Sequence, residues 1–166
     1  MVTSPRKGRR PFLSEGHFPQ TENPSPMIPL LSISPAEHDH TVLKQMLDSS
    51  RWRIRESGSL PSALKVLRED QIPLVVCERD LHPGTWRDVL ERLAILPSPP
   101  YLIVTSQQAD DDLWIKALNA GAYDVLAKPL AASELIRTLT LAWQHWSEEF
   151  VVGSSLVRPK ALAAAV

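Results

Sequence analysis

From Met27 onward, apolar and polar positions along this chain alternate between two rhythms. Leu30-Leu31-Ser32-Ile33 is an apolar run of strand length, and Val42, Leu43, Met46 and Leu47 then recur at helical spacing. Ser34-Pro35-Ala36-Glu37 lies between them and reads as a helix start. Ser stands at the N-cap, Pro at the first helical position, and Glu three residues after the cap. Trp52-Arg53-Ile54-Arg55 alternates with period two and predicts a second strand at a sheet edge. Leu60, Leu64 and Leu67 mark a second helix. Pro73 to Cys77 and Tyr101 to Thr105 are continuous apolar runs, the pattern of strands buried on both faces. Trp86, Val89, Leu90 and Leu93 give a third helix, ended by Pro97, Pro99 and Pro100. Leu113, Trp114, Ala117 and Leu118 make a fourth, closed by Asn119-Ala120-Gly121. Tyr123 to Ala127 is a fifth strand. Leu135, Ile136, Leu139, Ala142, Trp143 and Trp146 form one face of a long last helix. Core burial is expected for both tryptophans, with Trp146 the one placed to serve an interface instead.

Regular strand–helix alternation implies a parallel sheet with right-handed crossovers and helices on both faces. Residues 1–26 differ: Pro5, Pro11, Pro19, Pro24 and Pro26 interrupt any helix, and no periodicity is present. They are expected to form a disordered tail whose basic cluster, Arg6, Lys7, Arg9 and Arg10, is solvated. Residues 27–147 are expected to form the one domain. Residues 148–166 read as a C-terminal tail too short for a second.

Composition narrows the function classes. With 43% hydrophobic and 22% charged residues, a packed core is expected. A net charge of -1 supplies no basic field for nucleic acid. Cys77 is the single cysteine, which excludes an internal disulfide and a Cys-based zinc site. It sits in an apolar run and reads as a small buried hydrophobe. No apolar run approaches the roughly 20 residues that span a bilayer, and no secretory signal is visible. A cytoplasmic protein without a membrane partner is expected.

The candidate chemistry gathers around Gly121-Ala122-Tyr123-Asp124-Val125-Leu126-Ala127-Lys128-Pro129. The proline disfavours αR at Lys128, so the chain is extended where the strand ends. In an open parallel sheet the carboxyl ends of the strands share one crevice. Ser34, Glu78, Thr105 and Lys128 stand at those ends. A carboxylate, a hydroxyl and an ammonium grouped this way suit a phosphoryl site, or equally a plain ion pair beside a hydroxyl. Glu37 and Asp39 fall in the first turn of a helix, where they favour its dipole, and Asp110-Asp111-Asp112 do the same for the fourth helix. His38 and His40, two apart, do not share a helix face. There is no Walker or dinucleotide loop and no Gly-x-Ser-x-Gly elbow, so an enzyme is not expected.

The five strand–helix units, Thr105-Ser106, and above all the segment from Gly121 to Pro129 resemble the receiver domain of two-component response regulators, from about Met27 to Trp146. The resemblance implies a flavodoxin-like three-layer α/β/α fold with a five-stranded parallel sheet of order 2-1-3-4-5. It implies Thr105 and Lys128 as the phosphate-pocket residues and Glu78 at the phosphoacceptor position. Ser34 and Pro35 fall at the positions of the magnesium-binding acidic pair, and Val125 at that of the switch aromatic. Ser34 is a poor magnesium ligand and Pro35 has no ligating side chain. The departures therefore imply a lost magnesium site and no cofactor.

Glu78 carries one more methylene than the family's aspartate, so its carboxylate reaches toward Lys128 as a fixed anion. The family's proline four residues after the acceptor is here His82, with Pro83 one later. Anchoring on Pro83 would put Arg79 at the acceptor position, and Asp80 remains the alternative acceptor. The expected protein is a stand-alone, degenerate receiver acting by protein–protein contact in a phosphorelay. Its partner would be a histidine kinase, an output protein or a second copy, met through the fourth helix, fifth strand and fifth helix. The alternatives are a true phosphoacceptor using Glu78 or Asp80, and a small ligand binder or enzyme on the same fold.

Overall fold

A computed structural model describes residues 25–48 and 51–152. The basic cluster within residues 6–10, and the parts of the two expected tails before 25 and after 152, lie outside the described residues. The elements run β1 (Ile28–Ile33), α1 (Glu37–Leu47), β2 (Trp52–Ser57), α2 (Leu60–Glu69), β3 (Leu74–Glu78), α3 (Trp86–Ala94), β4 (Tyr101–Ser106), α4 (Asp111–Ala120), β5 (Asp124–Ala127) and α5 (Ala132–Ser147). Glu148–Val152 continue α5 as a π-helical turn, where the sequence suggested a tail. The strands form one parallel sheet in the order β2-β1-β3-β4-β5. This is the expected flavodoxin-like fold, with β2 at an edge as its half-polar alternation requires.

Side-chain alternation sends each central strand's residues to two cores. Leu31, Val75, Cys77, Leu102, Val104 and Val125 face α2, α3 and α4, meeting Ala63, Trp86, Val89, Leu113 and Ala117. Leu30, Leu74, Val76, Ile103 and Leu126 face α1 and α5, meeting Leu43, Leu47, Leu135, Leu139 and Ala142. Each fully buried Leu or Ile of these layers contributes roughly 1.5–3 kcal/mol. The same alternation aims Glu78, two residues after Val76, and Lys128, two after Leu126, at the α1–α5 side of the sheet edge.

The ends of the helices follow local chemistry. Asp110 accepts the Leu113 N–H at 2.9 Å, capping α4 as its acidic run predicts. Gly121 closes α4 with φ 110°, a left-handed conformation that glycine adopts without strain. Thr85 and Asp88 form a capping box on α3.

Two expectations need correction. α1 begins at Glu37 with Ala36 at the N-cap, not at Ser34, and Ala36 makes no side-chain cap bond. On α5 the inward stripe is Leu135, Leu139, Ala142 and Trp146. Trp146 is 3% exposed and donates its indole N–H to the Pro99 carbonyl at 3.0 Å. Trp143 and Ile136 sit one position round from that stripe, so Trp143 is only half-buried and Ile136 is exposed. On α4, Trp114 lies one step off the buried Leu113–Ala117 stripe and is 44% exposed.

Candidate functional site

At the carboxyl edge of the sheet the ends of β3, β4 and β5 and the first turn of α1 converge. Glu78 is the last residue of β3 and stands in register with Thr105 of β4. Lys128 follows β5, and its backbone N–H donates to the Ser106 carbonyl at 2.9 Å, which fixes the root of its side chain. The Lys128 ammonium donates to Glu78 Oε2 and, at 2.6 Å, to Asp39 Oδ2. The three side chains are 14%, 15% and 22% exposed for Lys128, Glu78 and Asp39. One ammonium therefore bridges two carboxylates in a largely water-excluded setting, where charge-assisted bonds are strong.

Asp39 was expected only to favour the helix dipole. It does lie in the first turn of α1, but Ser34 redirects it. Ser34 Oγ accepts the Ala36 N–H at 3.1 Å and donates to Asp39 Oδ2 at 2.6 Å. The buried serine thus holds the carboxylate toward Lys128. Pro35 is exposed and takes no part. A right-handed crossover from β1 carries the amino end of α1 over this sheet edge, which is the signal that could have placed Asp39 here.

Electrostatics follow from the geometry. Burial opposes the charge on Asp39, but the bonds from Lys128 and Ser34 and the nearby ammonium outweigh it and hold the carboxyl below its usual value. For Lys128 burial also opposes charge, and the bonds to Asp39 and Glu78 outweigh it, so its pKa is raised. Cys77, behind Glu78, is buried, and burial together with the Glu78 charge pushes its thiol well up, into the unreactive range.

The remaining predicted residues are placed as follows. Thr105 lies on the same face, but its hydroxyl donates to the Cys77 carbonyl at 3.4 Å rather than to Glu78 or Lys128. Asp80 is exposed, and its carboxylate pairs with Arg79 at 3.0 Å, away from Lys128. Val125 is buried in the core, and its carbonyl accepts the indole N–H of Trp114 at 3.3 Å. His40 is buried with Nε2–H donating to the Ser34 carbonyl (3.1 Å), so Nδ1 accepts from Ser32 Oγ (2.8 Å). It braces β1 against α1 and ligates nothing.

Residues 37–140 match the response regulator receiver domain family. The chain belongs to that family. It is a receiver domain of two-component signalling. Among curated relatives, it is 31% identical over 106 residues to the transcriptional regulatory protein ZraR of Klebsiella oxytoca. That match covers 63% of this chain but only 24% of the regulator. It is 28% identical over 118 residues to the two-component response regulator ORR3 of Oryza sativa subsp. indica, covering 69% of this chain and 89% of that protein. Among solved structures, the signal receiver domain of a putative Luxo repressor protein from Vibrio parahaemolyticus superposes with a TM-score of 0.70. At 20% identity, covering 75% of this chain and 96% of that one, it shows the shared fold. The family match begins at residue 37, so this receiver's β1 and its Ser34-Pro35 lie outside it. Among the described residues no helix is long and apolar enough to cross a membrane.

Proposed function

We propose that this is a receiver that signals by protein contact without phosphoryl transfer, with Glu78 held on Lys128 as a permanent imitation of the phosphorylated state. The observation that carries the proposal is the doubly bonded Lys128 ammonium between Glu78 and Asp39. A phosphorylated aspartate presents negative oxygens to the lysine; here the longer glutamate supplies one without modification. The donor set does not suit magnesium, which requires near-octahedral oxygen ligation, usually from one or two carboxylates with waters. Pro35 has no side-chain oxygen, and Asp39 Oδ2 is already bonded to both Ser34 and Lys128. Among the described residues no group of three His, Cys, Asp or Glu stands at metal-binding distance. No step of this reading passes through a metal or cofactor, and the module is not an enzyme.

The output surface in this reading is α4, β5 and α5, where Trp114, Ile115, Ile136 and Leu141 are exposed large apolar side chains. Such side chains favour a protein partner: a histidine kinase, an output protein or a second copy. In this reading the domain acts in the cytoplasm.

Incubation with acetyl phosphate or phosphoramidate and magnesium, followed by intact mass, tests the reading. The mass is expected to stay unchanged. A stoichiometric gain of one phosphate would overturn the proposal, and mapping it to Glu78 or Asp80 would establish a true phosphoacceptor.

A further inference from the structure

The Asp39–Lys128–Glu78 bridge is also the rim of a cavity of about 380 Å³. The cavity runs beneath the bridge between α1 and the strand ends. Its apolar walls are Val42, Leu43, Met46, Val76 and Leu130. A mainly apolar hollow with a few convergent polar groups is the usual form of a small-molecule site, and this volume lies near the lower end of the roughly 300–1,000 Å³ such sites occupy. A ligand of one ring or a short alkyl body fits that size.

The rim decides the ligand's charge. Two carboxylates face one ammonium, so these three side chains together carry a net negative charge. Lys128 already serves both carboxylates and has little to offer an anion. The two bonds to Asp39 both reach Oδ2, so among the described residues its Oδ1 accepts no hydrogen bond. We infer that this cavity binds a small amphipathic amine, its apolar body against Met46, Val76 and Leu130 and its ammonium on Asp39 and Glu78. The inference goes beyond the signalling reading and stands on a different observation, the cavity. Phosphorylation of the domain would defeat that reading and leave this one to be judged by binding alone.

The test is a titration of the full chain, labelled at Ile, Leu, Val and Met methyls, with three probes of one shape: phenethylamine, 2-phenylethanol and phenylacetate. The expected result is saturable shifts at Val42, Met46, Val76 and Leu130. The amine should bind at least about tenfold more tightly than the alcohol, the difference a hydrogen bond to a charged group supplies. Phenylacetate should bind weakest. Glu78→Gln should remove most of the amine's advantage and leave the alcohol unchanged. Val42→Trp, at a half-buried wall position, should block all three probes while the remaining spectrum reports an intact fold. Equal affinity for amine and alcohol, tighter binding of phenylacetate, shifts centred elsewhere, or no saturable shift with any probe would each overturn the inference.

Discussion

Replacing Lys128 with alanine is the sharpest perturbation of the bridge. The ammonium is the only positive charge bonded to Asp39 and Glu78 among the described residues. Its removal leaves two carboxylates facing each other with little water. Breaking a buried ion pair by deleting one partner costs about 3–5 kcal/mol, because the surviving charge stays desolvated. Side chains that are 14–22% exposed recover part of this through hydration. The expected cost is therefore about 2–4 kcal/mol. Asp39→Asn gives the opposite balance: it leaves Glu78 and Lys128 as a neutral pair and is expected to cost only about 1 kcal/mol. Urea denaturation at pH 7 measures both. The Lys128→Ala loss should shrink near pH 4, where carboxylates begin to take up protons and mutual repulsion fades. A Lys128→Ala cost below that of Asp39→Asn, or one independent of pH, would refute the shared-ammonium arrangement.

Other outcomes follow from the same structure. Asp39 is held below its ordinary pKa, so its contribution to stability is present above pH ~4 and is lost as pH falls through the lowered value. Lys128 is held above its ordinary value, so its contribution is complete below pH ~10 and is lost as pH climbs past the raised value. A stability profile flat between these limits, with Asp39→Asn weakening the acid-side fall, is expected from denaturation across pH. Trp146→Ala should cost about 3–5 kcal/mol and Trp143→Ala clearly less; equal losses in thermal or urea unfolding would contradict the packing of α5. Cys77 should react with a thiol reagent at pH 8 only as fast as the domain opens, and a rapid native-state reaction would count against its burial.

The fold was legible in the sequence because its signals were redundant. Continuous apolar runs marked β3 and β4, and helical stripes and glycine or proline punctuation marked the rest. The juxtaposition of Glu78 and Lys128 was legible too, since both end strands of one sheet. Asp39 was not. Its place in a first helical turn has an ordinary explanation, and only the path of α1 over the sheet edge, with Ser34 bonding the carboxylate, turns it inward. The helix start misled for a related reason: Ser34 spends its oxygen on Ala36 and Asp39 rather than on a cap. Trp143 was misplaced, and Trp146 rightly placed in the core, because one position along a helix rotates a side chain by about 100°, finer than a stripe of mixed apolar residues resolves.

The central claim is that Glu78 permanently holds the ground a phosphoryl group would take on Lys128. Beryllofluoride, the reagent that activated another receiver, the NtrC4 domain, tests it most directly when added with magnesium to the full chain labelled uniformly with nitrogen-15. The account predicts unchanged resonances for Thr105, Val125 and Lys128 up to saturating reagent. Saturable shifts at those three residues, spreading to α4 and β5, would show a live acceptor site and contradict it.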